Sequence, residues 1–229
     1  IIIRYIRVRV DEGAANSSGD AIDMDECFNV IIDHVTASYS RDEGISCQED
    51  SDHITVQWCI ISESLTYEDH SYGSLVRGQF GQRKTYHHNL YAHNKGRNPR
   101  PGNYLASTLD RQGLYFDFRN NVMYNWSGNY AGYNDDTSTI SRYNIIGNVF
   151  IRGPESGHSY GDVGFREKCK VGYGYFADNS YDGIVSANPW SIVYFAGMSD
   201  AEIAAYKNRS YRLPMEYVTT TSAAQAEAD

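Results

Sequence analysis

Three cations crowd the stretch HHNLYAHNKGRNPRPG, residues 87–102, where Lys95, Arg97 and Arg100 surround Pro99. A guanidinium presents a planar fork of donors that matches a carboxylate or phosphate, whereas an ammonium acts as a compact point charge. The stretch begins like a buried strand and ends in a proline-fixed turn, which exposes the basic side chains beyond the strand end. The chemistry this allows is recognition of an anion on a local patch. Zinc chemistry is not indicated, because no histidine stands at zinc spacing from a cysteine or glutamate.

The patch sits on an acidic body. Twenty basic against 29 acidic residues give a formal net charge of −9, which argues against a sequence-independent nucleic-acid binder. No apolar run approaches the roughly 20 residues that cross a bilayer, so neither nucleic acid nor membrane is an expected partner. A chain of 229 residues can form one domain with a sizeable core. The opening IIIRYIRVRV reads as a strand entered partway rather than as a signal peptide, and both ends read as cut from something longer. Cys27, Cys47, Cys59 and Cys169 form no C-x-x-C pair and read as buried thiols, with a Cys47–Cys59 bridge left open.

The elements that must position the cations repeat. NVIIDHVTAS (29–38), HITVQWCIIS (53–62), RKTYHHNLYAH (83–93), LYFDFRNNVMYNW (114–126), ISRYNIIGNVFI (140–151) and GYGYFADNSYDG (172–183) each read as two short strands meeting at a bend. Aligned bends put Val35, Cys59, Asn89, Asn121, Asn148 and Asn179 in one column, at spacings of 24, 30, 32, 27 and 31 residues. Short strands at such a period without intervening amphipathic helices fit a parallel β-helix, an all-β solenoid. Four asparagines in the column are expected to form an internal ladder of side-chain amides. MSDAEIAAYKNRSY, with Ser199 or Asp200 as cap, is expected to form one short C-terminal helix. Residues 1–213 thus read as a single β-helix domain, and 214–229 as a tail without fixed structure of its own.

GDAIDMDECFNVIIDHVTAS, SDHITVQWCIISESL, YHHNLYAHNKGRNPR and YFDFRNNVMYNW resemble successive segments of the pectate lyase superfamily, specifically bacterial-type members of polysaccharide lyase family 1. Asp33 with His34 after a strand, and Arg97 with Pro99, carry the resemblance most specifically. It implies a right-handed parallel β-helix and a secreted, monomeric enzyme that cuts α-1,4-polygalacturonate by calcium-assisted β-elimination. That reaction removes a proton next to a carboxylate, so the site must neutralise charge on an already anionic sugar. The resemblance places Arg97 near the C5 proton as the Brønsted base. An arginine pKa above about 12 opposes that role, and stabilisation of the enolate is the alternative.

For calcium the resemblance implies Asp20 and Asp42, with Glu43 as a compensating ligand and Asp23 or Asp25 as weaker candidates. Ser18 and Ser46 stand where acids are usual, which predicts weaker cation binding. For substrate it implies Arg100, Lys95 and Lys84. Gly102 occupies the place of the second family arginine and Gly73 that of a substrate lysine, so Arg100 and Lys84 enter as substitutes, and strand alternation leaves open an inward orientation for Lys84. Asp33 and His34 are expected to hold neighbouring coils together. A pectin lyase acting on methyl-esterified polymer and a noncatalytic carbohydrate-binding β-helix are the alternative functions, and glycoside hydrolysis ranks last for want of a clear carboxylate pair.

Overall fold

The computed structural model describes residues 1–10, 19–157, 159–161, 163–215 and 217–229. Its strands wind in the order first sheet, second sheet, third sheet, coil after coil, as a right-handed parallel β-helix. The first sheet has seven strands, from Ile2–Arg4 through Arg83–His87 to Tyr173–Ala177. The second runs from Arg7–Arg9 through Leu90–Ala92 to Ser180–Tyr181, with Ile184–Val185 added antiparallel at its end. The third comprises Ile22–Met24, Ile45–Cys47, Leu75–Arg77 and Arg100–Gly102, continued by a three-stranded group Gly132–Asn134, Phe165–Glu167 and Val193–Phe195.

Period-two alternation sends every second side chain into the coil, and parallel register then stacks like upon like. Ile32, Val56, Tyr86, Phe118, Ile145 and Phe176 form one such inward file in the first sheet. Ala37, Ile61, Tyr91, Met123, Phe150 and Tyr181 form its counterpart in the second. These residues are buried and belong to one contiguous core.

The bend between these sheets is made the same way on each coil. A residue in the left-handed region precedes the aligned column: His34, Trp58, His88, Asn120, Gly147 and Asp178 have φ between 50° and 63°. The next residue turns inward, and there the expected ladder forms. Nδ2 of Asn89 donates to Asn121 Oδ1 at 2.9 Å, Asn121 to Asn148 at 3.1 Å, and Asn148 to Asn179 at 3.1 Å. Each amide also serves backbone groups, Asn121 Nδ2 reaching Tyr86 O at 3.0 Å and its Oδ1 accepting from Asn89 N at 3.0 Å. Cys59 joins by donating its backbone N–H to Asn89 Oδ1 at 2.9 Å. All four cysteines are free.

Helix α1, Asp200–Arg209, starts at Ser199 with a capping box to Glu202, and its single buried residue is Tyr206. Tyr206 fills the space left by Gly174 at the end of an inward file and receives a bond from Gly174 N at 2.9 Å. Its hydroxyl donates at 2.6 Å to Glu167, to which Tyr143 also donates.

The terminal segment departs from expectation, because it is docked and carries a second helix, α2, Ala223–Ala228. Asn144 exchanges two side-chain bonds with the Leu213 peptide group, at 2.9 and 3.0 Å. Asn120 does the same with Thr221, both at 2.9 Å. Ala223 and Ala226 then pack on Val149. Composition alone pointed to a loose tail; what orders it is the amide side chains of distant coils, which act as a substitute strand edge. Gly147 is required where the tail crosses, since a Cβ there would press on Asn120 Nδ2 and the Thr221 carbonyl and φ is +63°.

Asn121→Ala removes the bonds its side-chain amide makes to Asn89, Tyr86 and Asn148 and is expected to cost about 3 kcal/mol, read as a lower urea midpoint with an unchanged slope. Burial raises the Glu167 carboxyl from 4.5 to about 7, against the pull of its tyrosine and backbone donors. The folded chain therefore keeps a proton that the unfolded chain releases near 4.5, so this contribution to stability is complete below 4.5 and lost as pH rises through about 7. In Glu167→Gln the denaturation midpoint is expected to fall less steeply across that window.

Candidate active site

The turns that lead from the second sheet into the third carry the acids and Arg97. Asp20 precedes Ile22–Met24, Asp42 and Glu43 precede Ile45–Cys47, and Arg97 precedes Arg100–Gly102. Backbone bonds fix these turns against one another: Ala21 N to Glu43 O at 3.0 Å, Gly44 N to Gly73 O at 2.8 Å, and Gly73 N to Gly96 O at 3.0 Å. Residues as far apart as 20 and 97 thereby face one shallow depression, with Leu75 and Tyr104 on its walls.

Asp20, Asp42 and Glu43 each bring a carboxylate oxygen within 4.8 Å of the others. Asp20 Oδ1 accepts from Glu43 N at 2.9 Å, and its Oδ2 accepts from Ser46 Oγ. The Arg97 guanidinium is ion-paired to Glu43 and lies 3.5 Å from Asp42 Oδ1. It stacks 3.9 Å from the Tyr72 ring centroid and donates from Nε to the Tyr133 hydroxyl at 3.2 Å. Arg97 itself has φ +53°, an uncommon conformation for a non-glycine residue that this packing holds in place.

Burial raises the Glu43 carboxyl to about 8, with Arg97 pulling it down and Asp20 and Asp42 pushing it up. Burial likewise raises Asp20, opposed by its bonds from Ser46 and Glu43 N. For Arg97, burial works against the charged form, but Glu43 and Tyr133 outweigh it and hold the guanidinium more firmly protonated than usual. Three crowded carboxylates with one guanidinium leave negative charge uncompensated, and buried Asp42 Oδ1 has no hydrogen-bond donor among the described residues. An all-oxygen donor set with an orphaned buried oxygen fits a hard divalent cation such as calcium.

The other expected residues fall differently. Lys95 lies on the outer loop, with Nζ 2.5 Å from Asp69 Oδ1. Arg100 is near the site but turns along the third sheet, 3.5 Å from Asp136 and 5.4 Å from the Tyr133 ring centroid. Lys84 is a correction: it is fully buried in an inward file between Ile54 and Phe116, and its Nζ donates to the Ser51 carbonyl, so it does not reach the depression. Alternation decided its direction. Asp23 accepts from Ser46 at 3.1 Å and Gln48 at 3.0 Å, whereas Ser18 lies outside the described residues. Asp33 accepts from Gln57 on the next coil at 3.0 Å and pairs with His34 at 2.7 Å, away from the acids.

Four contributors escaped the sequence reading: Tyr72, Tyr133, Arg77 and Asp136. Arg77 pairs in register with Gly102, and its guanidinium, bound to Asp136, fills the space a side chain at 102 would need. A positive charge therefore stands beside the glycine, supplied by the neighbouring coil. Registering Leu75–Arg77 over Arg100–Gly102 in the repeat would have revealed it. Gly73 is similarly closed in, because a Cβ there would collide with Asn98.

No protein-family model matches the chain. It is 38% identical to "Probable pectate lyase C" of Neosartorya fischeri, over 100% of this chain and 52% of that protein. Against "Probable pectate lyase C" of Aspergillus terreus the identity is 39%, over 79% of this chain and 38% of that protein. The chain belongs to the pectate lyase superfamily. A member by these relatives, it spans about half or less of their length. The crystal structure of jun a 1, the major allergen from cedar pollen, superimposes with a TM-score of 0.57 at 18% identity, over 92% of this chain and 54% of that one, a likeness of fold. The superfamily's fold is thus in hand, while the bacterial-type assignment within it does not follow from these fungal relatives.

Calorimetric titration with calcium tests the acid cluster. Asp42→Asn is expected to weaken binding on the order of tenfold, and Ser46→Asp, which restores a carboxylate beside Asp20 and Asp23, to tighten it.

Proposed function

We propose that the chain is the β-helix of a pectate lyase that cleaves α-1,4-polygalacturonate by β-elimination, with calcium held by Asp20, Asp42 and Glu43. The observation that carries this reading is the convergence of those three carboxylates with Arg97, which reaches Glu43 across the intervening turn at Tyr72 and Gly73. When bound, the cation would neutralise the uronate carboxylate and so acidify the proton on the neighbouring carbon. The C5–H bond breaks, C4 and C5 become doubly bonded, and the C4–O bond releases the leaving sugar, whose oxygen takes a proton.

Arg97 supplies the fixed positive charge for the carbanion that forms. Tyr72 stacks against its guanidinium and Tyr133 receives its Nε, so the charge is positioned before substrate arrives. Its strengthened protonation supports this electrostatic role over that of base, with the C5 proton passing to solvent. Arg100, beside Tyr133, would meet a further sugar carboxylate. Lys95 is turned to Asp69 and would act only at the rim of the site. A polymer of this kind is too large to enter a cell, which supports a secreted protein. The retained acid cluster supports free uronate over the methyl ester as substrate, since an ester needs no cation.

Incubation with polygalacturonate, with calcium and then with chelator, is expected to give the ultraviolet absorbance of an unsaturated uronate only when calcium is present. Arg97→Ala is expected to lower turnover on the order of 100-fold or more. Reducing ends without that absorbance would replace elimination by hydrolysis, polymer binding without product would leave a binding module, and chelator-indifferent cleavage of esterified polymer alone would make it a pectin lyase.

A further inference from the structure

A depression of roughly 460 Å³ opens at a different corner of the coil, where the chain leaves the third sheet for the first. It lies between the loop at 107–111, the starts of Ser141–Ile146 and Tyr173–Ala177, and the end of α1. Its charged lining is Arg111, Arg142 and Arg209, and no carboxylate lines it. On a chain of net charge −9 that is a local inversion of sign. Arg166, Arg97 and Arg77 elsewhere each pair with an aspartate or glutamate, but these three arginines have no acidic partner among the described residues. Asp110, next in sequence, is buried and occupied, accepting from Phe80, Gln112 and Gly113 backbone N–H groups and from Asn103.

Two of the guanidiniums are fixed in place by neutral acceptors. Arg142 donates to the carbonyls of Gln112 at 2.8 Å and Arg111 at 3.1 Å, and Arg209 donates to Gly172 O at 2.9 Å and to Lys170 O. Tyr173 stands between them, its ring centroid 4.2 Å from Arg142 and 5.6 Å from Arg209. Carbonyls and a ring face orient a guanidinium without cancelling its charge, so binding an oxyanion here costs little ordering.

We infer that this depression is a second anion site, which holds uronate carboxylates of an acidic polysaccharide outside the catalytic depression. The choice of polysaccharide rests on the proposed function; the anion site itself does not. The site would keep the protein on the polymer without any cation and would discriminate free uronate from its methyl ester, which lacks the charge.

Electrophoresis of the full chain through gels containing polygalacturonate, with chelator present to silence cation-dependent binding, tests this. The wild-type chain is expected to be retarded, and Arg111→Glu, an exposed position without structural bonds from its side chain, to lose apparent affinity on the order of tenfold. Arg142→Gln with Arg209→Gln is expected to abolish retardation, with a circular-dichroism melt confirming the fold. Fully methyl-esterified pectin is expected to give no retardation, and inorganic sulfate to compete. Equal retardation of wild type and Arg111→Glu, or protection by sulfate without any hold on the polymer, would overturn the inference. No turnover enters the readout, so a protein that forms no unsaturated product still passes or fails this test separately.

Discussion

Parallel register along the solenoid axis is the constraint on which the rest of the structure depends. Strands pair at a spacing of about 4.8 Å per coil, and a slip by one residue would turn every inward side chain outward. The asparagine column holds that register from inside, since each amide can bond its neighbours above and below only when the bends coincide. Variation in coil length is then confined to turns, which explains how spacings from 27 to 32 residues coexist with one uninterrupted ladder.

The acid site follows from that geometry. Neither Asp20 nor Asp42 nor Glu43 is unusual in its own turn; stacking makes them unusual, by bringing a carboxylate oxygen of each within 4.8 Å of the others. Burial first, and the neighbouring Asp20 and Asp42 second, raise the Glu43 carboxyl, while Glu43 and Tyr133 hold the Arg97 guanidinium charged. Arg97, ion-paired to Glu43, offsets only part of the acids' charge, so under the proposed function an entering calcium ion would have to share Glu43 with Arg97 or take it over.

Much of this was legible in the chain. Bend spacing disclosed the solenoid, asparagine recurrence disclosed the ladder, and the motif around Arg97 disclosed the basic turn. Lys84 shows where such reading stops: a lysine in a strand has two directions, and only the register with Ile54 and Phe116 selects the inward one. Arg77 shows the same limit from the other side, because the space beside Gly102 is filled by a guanidinium that the preceding coil supplies. The docked terminal segment was illegible for a related reason, its partners Asn120 and Asn144 being ordinary-looking residues far upstream.

That docking bears on how the molecule comes apart. A solenoid built only of nearest-neighbour contacts would fray coil by coil from an end, each rung loosening independently. Here the last residues return across 101 positions to grip Asn120 and across 69 to grip Asn144. Peeling of the final coils must therefore undo a clasp fastened nearer the middle, which links opening at that end to the integrity of the interior and makes unravelling a more concerted event.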